Sequence, residues 1–118
     1  MFICNFKKYY TWEPTLEKHL LKIDCPIERT LHVISGKWKL ALLCELNRGN
    51  SRLKDLEKYN PEASKRALTK QLGELVEDGI IQKKDYEVYP KKVEYSLTEK
   101  GKELISVLKV LDDSGKQL

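Results

Sequence analysis

ASKRALTKQLGELVEDG, residues 63–79, is the stretch that decides the architecture. Leu68, Leu72, Leu75 and Val76 stand at i, i+4, i+7 and i+8, the spacing that gathers apolar side chains on one face of an α-helix. Arg66, Thr69, Lys70 and Gly73 fall on the opposite face. From Ala63 to Gly73 the chain carries Lys65, Arg66 and Lys70 with no acidic residue, and Glu74, Glu77 and Asp78 follow at once. Gly79 supplies the stop. The segment predicts a helix over about residues 63–78, one face in a core and the other basic and in solvent.

Working towards the N-terminus, Asn60 and Pro61 end a two-turn helix marked by Leu53, Leu56 and Tyr59. Asn50 and Ser51 read as a turn or very short strand. Trp38, Leu42 and Leu46, joined by Ala41 and Leu43, predict a buried helix that closes at Arg48 and Gly49. Before it, Asp24, Cys25 and Pro26 introduce Ile27, Leu31 and Ile34, a helix that ends at Ser35 and Gly36. Pro14 to Lys22 predicts a short helix. Residues 1–13, with Phe2, Phe6, Tyr9, Tyr10 and Trp12, form an aromatic arm.

Towards the C-terminus, Val93, Tyr95 and Leu97 alternate with Glu94 and Ser96, a period-two strand that can pair with Ile80 to Tyr86 through a loop holding Pro90. Thr98 is a good N-cap for a last helix. Its stripe comprises Leu104, Val107, Leu108 and Leu111, widened by Ile105 and Val110. The reading divides the chain into an arm with a short helix (1–24), one domain (25–111) and a tail (112–118).

Helix, helix, helix, strand, strand is the order of a winged helix-turn-helix: a mainly α fold with a small β-hairpin wing (α+β). A helix about 10 to 12 Å across fits the DNA major groove and needs hydrogen-bond donors on its exposed face. Arg66, Thr69 and Lys70 supply them, with Lys65 beside them. Ser64 can offer its hydroxyl and neighbouring N–H groups to a phosphate. Lys91 and Lys92 belong to the wing, where contacts to phosphate add affinity without reading sequence. Lys37 and Arg52, beside the starts of the second and third helices, complete the expected DNA-binding set.

The stripe on the last helix is wider than one small domain covers, so Leu104, Ile105, Val107, Leu108 and Leu111 are expected at a homodimer interface. Two recognition helices would then favour half-sites about 34 Å apart, or a multiple of that, in a pseudo-palindromic operator. The alternative is that the aromatic arm covers this stripe within one monomer. A second reading of the whole chain is a protein-interaction module with little or no DNA binding, which Gly73 and the acidic end Glu74, Glu77 and Asp78 favour slightly.

Composition excludes several other classes. The 118 residues are 41% apolar and 34% charged, and 22 Lys plus Arg against 18 Asp plus Glu leave a net charge of 22 − 18 = +4. This is the size of one small domain. The longest apolar run, Leu40 to Cys44, is far short of a membrane span, and Asn5, Lys7 and Lys8 interrupt any signal peptide core, so a cytoplasmic protein is expected. Cysteines at 4, 25 and 44 are odd in number and lack CxxC spacing, against both a disulfide framework and a zinc finger. His19 and His32 have no ligand motif around them, so no metal is expected. There is no phosphate-binding glycine loop and no nucleophile elbow, and the reading is a non-enzyme without a cofactor.

Three segments, CPIERTLHVISGKW (25–38), SKRALTKQLGELVEDGII (64–81) and YPKKVEYSLTEKG (89–101), in that order and spacing, resemble the HxlR-type transcriptional regulators. Cys25, Pro26, Gly36, Lys37, Trp38, Ser64, Arg66, Leu68, Thr69, Leu72, Gly79, Val93, Glu94, Tyr95, Thr98 and Gly101 match the family pattern. Ser35 stands where the family usually has glycine, and Gly73 where many members carry Arg or Lys. The resemblance implies a bacterial-type, dimeric winged-helix regulator, related to MarR-like proteins, that represses or activates nearby genes.

Pro26 at the first helical position places Cys25 at the N-cap, where the helix dipole favours a thiolate and the adjacent Asp24 opposes it. Several HxlR-type regulators carry this cysteine and use it to sense oxidants or electrophiles, so the resemblance makes Cys25 a redox-sensing candidate. The alternative is a small buried cap residue. A small-molecule or oxidant effector is left open. Cys44, on the apolar second helix, is expected in the core.

Overall fold

The computed structural model describes residues 25–118; the aromatic arm, the helix expected over 14–22, Cys4 and His19 lie outside the described residues. The chain divides between Ile34 and Ser35 into two units. The first holds α1 (Pro26–Ile34), which begins where the proline predicts, with the Arg29 N–H donating to the Cys25 carbonyl at 2.9 Å. Cys25 is 3% exposed.

The second unit runs α2 (Lys39–Asn47), α3 (Leu53–Tyr59), α4 (Lys65–Glu77), β1 (Ile81–Asp85), β2 (Val93–Leu97) and α5 (Glu99–Gly115). Leu42 and Leu43 of α2, Leu56 of α3, Leu68, Leu72 and Leu75 of α4, and Ile81 of β1 form its fully buried centre. Each such side chain contributes about 1.5–3 kcal/mol on leaving water. The i, i+4, i+7 row of α4 is thus the row that meets the core.

Local chemistry sets the ends of these elements. Ser64 caps α4, its Oγ accepting the Ala67 N–H at 3.0 Å. Gly79, at φ +76°, turns the chain out of α4, and the Ile80 N–H returns to the Leu75 carbonyl at 3.0 Å. The buried Asn60 closes α3, its Nδ2 donating to the Leu56 carbonyl at 2.8 Å.

β1 and β2 pair antiparallel, with Ile81 opposite Leu97, Lys83 opposite Tyr95 and Asp85 opposite Val93. Ser51 joins them through its carbonyl, which accepts the Tyr95 N–H at 2.8 Å. At the base of the hairpin, Thr98 caps α5 by accepting the Gly101 N–H at 3.1 Å, and its own N–H donates to the Ile80 carbonyl at 3.0 Å. A Cβ on Gly101 would stand 2.1 Å from that same Ile80 oxygen, so no larger residue fits without moving the strand.

Three expectations are corrected. Cys44 is exposed, not core: it opens onto a groove of about 470 Å³ between α2 and α5, lined also by Ile105, Leu108 and Lys109. α5 continues to Gly115, so residues 112–115 are helical, not tail. Leu104 and Ile105 are buried inside the protomer, which leaves Val107, Val110 (64% exposed) and Leu111 as the outward part of the stripe, with Leu108 half-buried. Among the described residues no helix is long and apolar enough to cross a membrane.

Candidate nucleic-acid interface

α4 is held from behind by the segment that leads into α2. Lys39 is buried, yet its ammonium lies 2.7 Å from Glu74 Oε2 on α4. One residue earlier, the Trp38 N–H, at the N-cap of α2, donates to Gln71 Oε1 at 2.9 Å. Gly36 makes the close approach feasible: at φ +142° a Cβ would stand 3.2 Å from Gln71 Oε1 and 3.1 Å from Lys39 Cδ. Lys39 is buried while the Glu74 side chain is 40% exposed, and the pair holds one face of α4 against the start of α2, which fixes the roll of α4 about its axis.

That roll turns Ser64, Lys65, Arg66, Thr69, Lys70 and Gly73 to solvent. The Ser64 hydroxyl oxygen is occupied by capping, and its O–H remains a donor. The Thr69 hydroxyl donates to the Lys65 carbonyl at 2.8 Å, so towards DNA it offers an acceptor and not the donor that the sequence suggested. Space around Gly73 is open, with no atom within 4 Å of where a Cβ would stand.

Beside α4 lies an open groove of about 550 Å³. Arg52, Lys54, Lys65, Lys83 and Lys91 bring five positive charges to it, Thr69 joins them from α4, and Val93, Tyr95 and Leu53 give it an apolar floor. None of the residues that line it is acidic. Burial pushes the Tyr95 phenol above its usual 10.

Of the nine DNA-binding residues that sequence predicts, Arg52, Lys65, Thr69 and Lys91 meet at this groove. Ser64, Arg66 and Lys70 lie along the exposed side of α4 outside it. Lys37 is elsewhere, its ammonium 5.0 Å over the Trp38 ring. Lys92 is on the far face of the hairpin, 3.5 Å from Glu94 and 4.6 Å from the Tyr86 ring centre. Two groove cations, Lys54 and Lys83, are absent from the predicted set. The signal for Lys83 was the period-two alternation that puts it on the face of Val93 and Tyr95; Lys54 had none.

An exposed basic helix braced from behind, a cation-lined groove and a two-stranded wing define a winged helix-turn-helix DNA-binding transcriptional regulator. The sequence pattern of the HxlR-like helix-turn-helix family matches residues 33–118, and the chain belongs to that family. The HTH-type transcriptional regulator YdeP of Bacillus subtilis (strain 168) is 45% identical over 93 residues, 79% of this chain and 73% of YdeP. The crystal structure of the HTH-type transcriptional regulator ytcD superposes with a TM-score of 0.72 at 39% identity, over 78% of this chain and 94% of that one. The redox regulator HypR in its reduced form gives 0.71 at 38% identity, over 78% and 91%.

Proposed function

We propose that this regulator reads DNA sequence as a homodimer, through residues 25–111, on a pseudo-palindromic operator in the cytoplasm. The observation that carries the reading is the exposed row Arg66 and Lys70 on a helix whose roll is set by the Lys39–Glu74 pair. An arginine held in this way suits the paired acceptors of guanine, and a good bidentate contact discriminates by about 1–3 kcal/mol. Val107, Val110 and Leu111, exposed along one side of α5, supply the surface for the second copy, and symmetry then repeats α4 once per half-site.

Cys25 is the candidate for an oxidant signal. Its thiol is buried, so the start of α1 must open before an oxidant reaches it. The likeness to HypR, named as a redox regulator, supports this role.

The test is selection of sites from a random DNA pool by the full-length protein at fixed salt, with and without oxidant, alongside Cys25→Ser. Palindromic enrichment that oxidant alters in the native protein and not in the variant is expected. Enrichment of single half-sites overturns the dimer, and an oxidant effect that survives Cys25→Ser overturns the sensor. Absence of retention on DNA resin overturns DNA reading in favour of a protein-interaction module.

A further inference from the structure

The exposed residues of α4 fall in two rows with different surroundings. Successive residues of a helix turn by about 100°, so Lys65 and Thr69 share one row and Arg66 and Lys70 the next. Only the first row lines the groove. Across from it stand Lys83 and Lys91 of the hairpin, and Arg52 and Lys54 come from the start of α3. Cations drawn from three segments of the chain surround one trough with no carboxylate among its lining residues.

Five cations around one trough exceed what the paired acceptors of a guanine edge require and leave the donors of the neighbouring bases unmet. They match a run of phosphodiesters, whose oxygens only accept and whose charge needs neutralising. The floor agrees: half-buried Leu53 and Val93 offer apolar surface suited to deoxyribose.

We infer that the trough seats the sugar–phosphate backbone of one DNA strand, that Lys54 and Lys83 are phosphate contacts, and that base readout is confined to the Arg66 and Lys70 row outside it. The inference rests on the DNA-binding reading above and divides its labour residue by residue. Lys65, grouped by sequence with the base readers, passes to the backbone set.

The experiment compares the native protein, Lys54→Ala/Lys83→Ala, Lys54→Arg/Lys83→Arg and Arg66→Ala, each at full length. Binding to a selected site and to a scrambled duplex is measured by fluorescence anisotropy across a salt series. Each lost phosphate contact lowers the slope of log K against log salt by about 0.9, or about 8-fold in affinity at 0.1 M salt. The double alanine variant is therefore expected to lose about 1.8 in slope per bound protomer on both duplexes alike, with the preference between them unchanged. The arginine variant restores the slope, and Arg66→Ala lowers the preference. A native slope in the double alanine variant, or a changed preference, overturns the backbone seat. Native protein that binds neither duplex overturns the DNA reading itself.

Discussion

Lys83 and Lys91 stand on one face of the wing, and Lys84 and Lys92, their immediate neighbours in sequence, stand on the other. On the outer face both ammonium groups lie against the same ring, Lys84 at 4.7 Å and Lys92 at 4.6 Å from the centre of Tyr86. The Tyr86 hydroxyl donates to Glu94 Oε2 at 3.1 Å, and Lys92 pairs with the other oxygen of that carboxylate at 3.5 Å. On the inner face the strands carry one carboxylate, Asp85, whose Oδ1 accepts the Glu87 N–H at 2.9 Å and which is not among the residues that line the groove. The same residue type thus stiffens the hairpin on one side and stays available to a polyanion on the other. What separates the two is strand parity: Asp85 pairs with Val93, and the Tyr86 N–H donates to the Lys92 carbonyl at 3.0 Å.

The sharpest way to break this contrast is to remove each pair in turn. Lys83→Ala/Lys91→Ala is expected to weaken DNA binding by roughly 60-fold per bound protomer at 0.1 M salt, two contacts at about 8-fold each. Lys84→Ala/Lys92→Ala should change it by less than about threefold with the salt slope nearly native. Equal losses in the two variants, measured by anisotropy, would remove the distinction between the faces.

A smaller effect addresses the outer face alone. Tyr86→Leu removes both cation–ring contacts and the hydrogen bond to Glu94, and denaturant unfolding should show a loss of about 1–2 kcal/mol. Native stability would mean that the cluster holds nothing in place. The smallest effect lies on α4, where Gly73→Ala should raise stability by about 0.5–1 kcal/mol, because the helix gains propensity and the new methyl meets nothing. If the same variant binds DNA more weakly, the bare backbone at Gly73 is a place of close approach; unchanged binding marks it as open space in the complex too.

The helices were legible in the sequence wherever burial is periodic. The Leu68, Leu72, Leu75 row and the Ser64 cap place α4 to within a residue or two, and Thr98 does the same for the start of α5. Legibility fails where the pattern has no polar side. Leu40 to Cys44 is apolar at every position: the spacing from Trp38 placed Leu42 and Leu43 on the buried face, where they lie, but no polar neighbour marked Cys44 as exposed. It fails again where the partner is distant in the chain: a lysine at 39 reads as surface until Glu74 is brought to it. On α5 the apolar stripe was visible, but its division into Leu104 and Ile105 inside and Val107, Val110 and Leu111 outside depends on how far the neighbouring elements reach.

Gly101 shows how a residue can be indispensable without touching a ligand. The oxygen of Ile80 stands 2.1 Å from where a Cβ on Gly101 would be and also accepts from the Thr98 N–H, so the foot of the wing and the first turn of α5 share one carbonyl. Even alanine would have to prise that joint apart. A survey of substitutions would therefore record intolerance here as sharp as at any DNA contact, and its cause would be a single backbone atom that governs the angle at which the hairpin leaves the body.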